Sequence, residues 1–221
     1  MKILIFGATG MVGQGVLREC LLANNVTAVV AVGRTATGAL NVKLEDLVVK
    51  DMFDTVSYCD KLSGFDACFY CLGVSSGGMK ESEYSRLTYD LTMVAAEALA
   101  TVNPKMTFVY VSGAGTDSSE KGRSMWARVK GRLENALLRL PFRAVYMFRP
   151  GMILPLHGIQ SKTKSYRILY SFIKPLGPIL RWAFPRQVLT TEEIGLAMLT
   201  VARKGAAKRV LNTGDLRDII S

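Results

Sequence analysis

Histidine is nearly absent from this chain: His157 is the only one among 221 residues. It is therefore the one side chain whose ordinary pKa suits proton transfer near neutrality. Cysteine is sparse too. Cys20, Cys59, Cys68 and Cys71 sit in apolar segments without paired spacings, which argues against a disulfide framework or a zinc site and fits a reducing cytoplasm. No metal is expected. Cys68 and Cys71 form a C-x-x-C, but within a predicted strand rather than at a helix start where a thiolate is stabilised, so they read as core packing. No run of about 18 uncharged apolar residues occurs, so no spanning helix is indicated. The opening MKILIF halts at Gly7 without a cleavage-type segment, so no signal peptide is expected. Acid is missing from one long stretch: between Glu134 and Glu192 there is none, while Arg139, Arg143, Arg149, Lys162, Lys164, Arg167, Lys174, Arg181 and Arg186 fall in that gap.

What is present describes a globular protein. Apolar residues make up 49% and aromatics 9% of the sequence, enough for one sizeable core, and one domain over 1–221 is the expectation. The formal charge of +10 favours anionic partners: phosphate groups, nucleic acid or an acidic membrane surface.

Short apolar runs alternate with amphipathic stretches. KILIF precedes MVGQGVLRECLL; VTAVVAVG and LVV each precede a loop; DACFYCLG precedes ESEYSRLTYDLTMVAAEALA; MTFVYVSG precedes SMWARVKGRLENALLRL; and AVYMF ends at RPG. Such runs, bounded by Gly, Asp or Pro, read as buried parallel strands between helices. The expected fold is α/β, a Rossmann-type doubly wound parallel sheet with ligands beyond the carboxyl ends of its strands. Residues 152–190, broken by Pro155, Pro175, Pro178 and Pro185, interrupt the alternation as an expected cap or substrate-side insertion. A helix then resumes, with Thr191 as the expected N-cap and Gly205 past its end.

The most specific motif is GATGMVG, directly after the first strand and opening the first helix. Gly7 permits a sharp exit from the strand, Gly10 a close approach of backbone to pyrophosphate, and Gly13 close packing of helix on sheet. Thr9, Met11 and Val12 complete the turn, and the helix N–H groups face the anion. A glycine triplet alone can be an ordinary tight turn; its place at the first β/α junction favours a dinucleotide. About twenty residues on, where an acid would hold the ribose hydroxyls of NAD, stands Arg34. A guanidinium suits a 2′-phosphate, so NADP is expected over NAD, unless Arg34 simply extends into solvent.

Several strand-end residues join this turn in order: Gly33-Arg34, Asp51-Met52, Leu72-Gly73, Ser112, Lys130 and Arg149-Pro150-Gly151. Together they resemble the short-chain dehydrogenase/reductase superfamily over roughly residues 1 to 215, above all its atypical, sugar-epimerase-like branch with the Tat-interacting oxidoreductase-like and NmrA-like groups. The resemblance implies that Asp51 and Met52 lie near the adenine, that Leu72 and Gly73 line the adenine-ribose side, and that Pro150 and Gly151 cross near the nicotinamide. It also implies an active centre of a Ser after the fifth strand and a Tyr-x-x-x-Lys on the next helix. Ser112 and Lys130 match by position. The tyrosine slot holds Trp126.

An indole N–H only donates and does not ionise near neutral pH, so Trp126 cannot be the general acid or base. It belongs either to the site, filling space or donating one hydrogen bond, or to an apolar stripe with Val129, Leu133, Ala136, Leu137 and Leu140. Lys130 is either a ribose ligand, as the resemblance implies, or part of a solvated basic face with Arg128 and Arg132. Other proton carriers to consider are Tyr84, Tyr89, Tyr146 and His157.

From 160 to 187, basic residues interleave with Tyr166, Tyr170, Phe172, Trp182 and Phe184. This suits a lid over an anionic substrate, peripheral contact with an acidic membrane, a homodimer contact, or simply a basic outer face over a buried apolar side. No specific nucleic-acid motif is present. Two functions stand open: an NADP-dependent oxidoreductase or epimerase-like enzyme on a small carbonyl or alcohol substrate, and a non-catalytic cofactor-binding redox sensor that acts on a partner.

Overall fold

The computed structural model describes residues 1–159 and 187–220. The basic, aromatic run at 160–186, most of the expected cap, lies outside them. A parallel sheet is built in the order β3-β2-β1-β4-β5-β6-β9. Its strands are β1 (Lys2–Phe6), β2 (Ala28–Gly33), β3 (Leu44–Val48), β4 (Ala67–Tyr70), β5 (Thr107–Val111), β6 (Ala144–Arg149) and β9 (Val210–Asn212). The predicted doubly wound sheet is therefore observed, with one more strand than the sequence suggested. β9 is only VLN, too short for a periodic signal.

The central strands are almost wholly apolar because both of their faces are covered. In β1, Ile3 and Ile5 join Val16, Leu17, Phe148 and Met198 in one core layer. Leu4 and Phe6 point the other way, into a layer with Tyr70, Leu99, Phe108 and Leu133. That is the period of two of a strand buried on both faces.

The first layer is closed by α1 (Met11–Leu22), α5 (Thr191–Lys204) and α6 (Thr213–Ile220), the second by α3 (Leu91–Val102) and α4 (Met125–Leu137). A 3₁₀ segment, Thr55–Leu62, follows β3. Before α3, α2 (Glu81–Ser85) leads into a π-helical turn, Arg86–Asp90, so the single helix expected there carries a bulge. The edges of the expected cap meet: β7 (Met152–Leu154) and β8 (Val188–Thr190) pair in parallel as a separate ribbon.

The N-cap of α5 is Thr190, one residue before the expected Thr191. The Thr190 hydroxyl accepts from the Glu193 N–H at 3.0 Å, and the Glu193 carboxylate accepts from the Thr190 N–H at 2.7 Å, a reciprocal capping box. Thr191 instead enters the helix and meets α1. A Cβ on Gly15 would lie 2.5 Å from the Thr191 Cβ, and one on Gly195 would lie 2.7 Å from the Glu19 Cγ, so α1 and α5 cross at near-backbone contact.

Candidate functional site

Strand order reverses between β1 and β4, and the crevice at that switch point is where open α/β sheets place their ligands. Gly7 leaves β1 there with φ +80. A Cβ on Gly7 would stand 2.7 Å from the Leu72 nitrogen, so the strand-end turns of β1 and β4 touch through their main chains. Gly10 N–H donates to the Gly7 carbonyl at 2.9 Å, closing the turn. Gly10 is also the N-cap of α1 and supplies no capping side chain. The N–H groups of Met11, Val12 and Gly13 thus open the helix toward an anion. A Cβ on Gly13 would lie 2.1 Å from the Gly7 carbonyl oxygen. The Gln14 side chain donates to Thr9 O at 3.1 Å and holds the loop over the helix start. Such a glycine cradle before an uncapped helix fits a dinucleotide's diphosphate.

The other predicted positions follow the carboxyl ends of the neighbouring strands. Arg34 is exposed just past β2 and forms no ion pair among the described residues. The nearby acid Asp46 is engaged by the Thr37 N–H and hydroxyl instead. Asp51 is exposed and accepts from the Phe53 N–H at 2.9 Å, whereas Met52 is buried in the second core layer. Leu72 lies against Gly7, and Gly73 continues exposed beyond it. Pro150 O accepts from the Ala114 N–H at 2.9 Å, tying the end of β6 to the loop after β5. Gly151 N–H donates to the Thr213 hydroxyl at 2.8 Å.

Ser112 and Lys130 come together as expected. Lys130 Nζ donates to the Ser112 carbonyl oxygen at 3.1 Å and stands 5.8 Å from the centre of the Tyr110 ring. Burial pulls the Lys130 ammonium down to about 8, against the upward pull of the Glu134 carboxylate. The Ser112 N–H donates to Phe148 O at 2.8 Å, and its buried hydroxyl lies 2.9 Å from the Thr116 hydroxyl.

Trp126 is half-buried, whereas Val129, Leu133 and Leu137 of its predicted stripe are fully in the core. Its ring edge covers the loop after β5: Cη2 would be 3.4 Å from a Cβ on Gly115. The indole thus belongs to the wall of the Ser112 loop more than to the core.

Of the four other proton carriers, Tyr146, Tyr84 and His157 are committed elsewhere or enclosed. Tyr146 OH accepts from the Ala206 N–H at 3.1 Å. The Tyr89 ring lies under the Arg132 guanidinium at 4.5 Å, and Tyr84 is buried on α2. His157 pairs with Glu192 at 2.7 Å.

The sequence reading missed what holds the site together. Arg149 grips the buried Glu134 through Nε and Nη2, and its Nη2 also donates to the Ser118 hydroxyl. One buried pair thus locks β6, α4 and the loop between β5 and α4. A Cβ on Gly131 would fall 1.7 Å from the Asp117 carbonyl oxygen, so α4 lies directly on that loop. Glu134 follows Lys130 by one helical turn, and that spacing was the one available signal.

With this geometry in place, a profile of the NAD dependent epimerase/dehydratase family matches residues 3–122, the part that carries the glycine turn, Leu72-Gly73 and Ser112. The chain belongs to this family. Curated relatives include the mitochondrial protein fmp52 of Emericella nidulans, 28% identical over 69% of this chain and 66% of its own length. Protein HTATIP2 of Rattus norvegicus is 29% identical over 69% of this chain and 63% of its own length. These two matches span just under two thirds of each relative. The mitochondrial protein fmp52-2 of Aspergillus terreus is 24% identical over 98% of this chain and 94% of its own length.

Among solved structures, a short chain dehydrogenase family protein from Francisella tularensis superposes with a TM-score of 0.69 at 15% identity, over 98% of each chain. UDP-glucose 4-epimerase from Thermotoga maritima, solved with UDP-glucose, gives 0.70 at 15% identity, covering 96% of this chain and 76% of its own. The family's fold is the Rossmann-like fold observed in this chain. Among the described residues, no helix is long and apolar enough to cross a membrane.

Proposed function

We propose that this chain binds NADP(H) at the GATGMVG turn and works as an oxidoreductase or epimerase-like enzyme on a small carbonyl or alcohol. The observation that carries the reading is the uncapped start of α1 at Gly10, cradled by Gly7 and Gly13 at the sheet's switch point. Arg34, exposed and without an acidic partner among the described residues, supports the 2′-phosphate form. When bound, the nicotinamide supplies hydride transfer. The chain's own residues supply the rest. The α1 N–H groups hold the diphosphate, and Asp51, Met52 and Leu72-Gly73 border the adenosine. Pro150-Gly151 backs the nicotinamide end. Lys130, with two ammonium protons left after its bond to Ser112 O, serves the ribose.

A second reading is favoured by Trp126: a cofactor-binding protein that reports nicotinamide redox state to a partner with little or no turnover. An indole in the tyrosine slot removes the usual proton carrier. Titration with NADPH and NADH, followed by cofactor fluorescence, tests the shared premise; binding of neither at millimolar levels ends both readings. If binding holds, turnover over a panel of carbonyl compounds separates them. Wild-type consumption of NADPH that falls in Ser112→Ala and Lys130→Ala supports the enzyme. Turnover gained only in Trp126→Tyr supports the sensor.

A cytoplasmic location belongs to the same proposal, although the fungal relatives' names carry the word mitochondrial. Peripheral contact of 160–187 with acidic membranes is tested by flotation on anionic vesicles, and a homodimer by sedimentation.

A further inference from the structure

The sheet ends on one side at β3, where no residue is buried. Val29 N–H donates to Lys43 O at 2.7 Å and Val49 N–H to Gly33 O at 2.9 Å, so the odd-numbered residues turn their main chain toward β2. Asp46 and Val48, lying between, present their N–H and C=O groups outward, the template on which another strand adds. Apolar side chains gather along the same edge. Leu40 and Val42, just before the strand, are fully exposed, and Val48, its last residue, is 54% exposed. Lys43 Nζ donates to Leu21 O at 3.1 Å and to Ala23 O at 2.9 Å, which sets the end of α1, with Leu22 60% exposed, beside them. No other large apolar side chain among the described residues is more than 39% exposed. Apolar residues scattered singly over a surface need no explanation; four together mark an interaction surface.

Charge decides what covers it. The chain carries +10, so a second copy is repelled over most of its surface. Here residues 35–42 carry no charge, and Lys43 is spent on the end of α1. Beyond it the chain reads Glu45-Asp46-Leu47-Val48-Val49-Lys50, acid at one end and base at the other. Glu45 and Lys50 are exposed and form no ion pair among the described residues. Run antiparallel against itself, this edge brings Lys50 of each copy toward Glu45 and Asp46 of the other, whereas a parallel neighbour would set like against like. We propose that a second copy of this chain docks on β3, antiparallel across a two-fold axis, so that one sheet runs through both copies. Leucines and valines of the two copies close over the join. A few side chains and two short strands make a small interface, in the class below about 1,200 Å², so the dimer is weak and reversible. It does not depend on cofactor binding.

Sedimentation equilibrium of the full chain, from micromolar to near-millimolar concentration, is expected to show monomer giving way to dimer. Glu45→Lys and Lys50→Glu should each weaken the dimer by about tenfold or more, because each sets like charges against one another across the axis. The double variant Glu45→Lys/Lys50→Glu should return close to the wild-type dissociation constant, since reversing both ends keeps them complementary. Only self-association predicts that rescue. Val48→Lys should weaken the dimer as well, whereas Leu196→Lys, at a leucine 39% exposed on α5, should leave it unchanged. All four positions are exposed, and far-ultraviolet spectra matching the wild type establish that each variant folds. A chain that stays monomeric throughout overturns the proposal. So does a dimer indifferent to the β3 variants, one weakened equally by Leu196→Lys, or a double variant as weak as the singles.

Discussion

Lys130 reaches Ser112 through the main chain: its Nζ donates to the Ser112 carbonyl oxygen at 3.1 Å, not to the hydroxyl. The lysine thereby pins the loop after β5 while keeping two N–H donors for other partners. Its low affinity for a proton comes first from burial.

That burial predicts a pH dependence. Lys130 is pulled from 10.5 to about 8, so the unfolded chain binds its proton more tightly than the folded one. Its contribution to stability is present in full above the unfolded value of 10.5 and is lost as pH falls through about 8. Urea denaturation of wild type and Lys130→Met at pH 7, 9 and 10.5 should show wild type gaining on the variant as pH rises. A constant difference across that range would mean that Lys130 titrates as an exposed lysine.

The Arg149–Glu134 pair predicts a non-additive cycle. Glu134 is 1% exposed, so Arg149→Met strands a buried carboxylate and should cost about 3–5 kcal/mol. The double variant Arg149→Met/Glu134→Leu should lose less than the single one, because no charge is left alone. Denaturant midpoints of the four proteins check this.

Two glycines, Gly131 packed on the loop after β5 and Gly113 within it, should respond differently. Gly131→Ala puts a Cβ 1.7 Å from the Asp117 carbonyl oxygen and should lower stability by at least the ~1–3 kcal/mol of ordinary overpacking. Gly113 has nothing within 4 Å of its missing Cβ, so Gly113→Ala should leave the melting temperature nearly unchanged. Similar losses in calorimetry would contradict the packing described for α4.

Arg34→Asp should weaken NADPH binding by at least tenfold while leaving NADH the same or tighter, since it exchanges a partner of the 2′-phosphate for a like charge. Fluorescence titration with both cofactors decides it. Equal weakening of the two would mean that Arg34 serves the fold and not the phosphate.

Much of the architecture was legible because its signals are local. Runs such as KILIF and TFVYV are apolar after their first residue, as strands covered on both faces are, and GATGMVG sits where a strand turns into a helix. Ser112 and Lys130 could be paired only through the family resemblance, since eighteen positions separate them and spacing alone does not bring them together. β9 escaped notice because three residues have no readable period. The cap of α5 is Thr190 and not its chemical twin Thr191 because Glu193 stands three residues after Thr190 and closes the capping box, while Thr191 packs against Gly15.

By itself, the sequence determined the succession of the six longer strands and the helices between them, the glycine turn and the four-residue spacing of Trp126 and Lys130, all matters of residue type and near neighbours. Tertiary structure alone decided the contact of the Ser112 and Thr116 hydroxyls, the grip of Arg149 on Glu134 and the near-backbone contact of α1 with α5. Each of these depends on which atoms meet within about 3 Å after the sheet has assembled, and hydrogen bonds and steric contacts fall off steeply over distances that residue type does not encode.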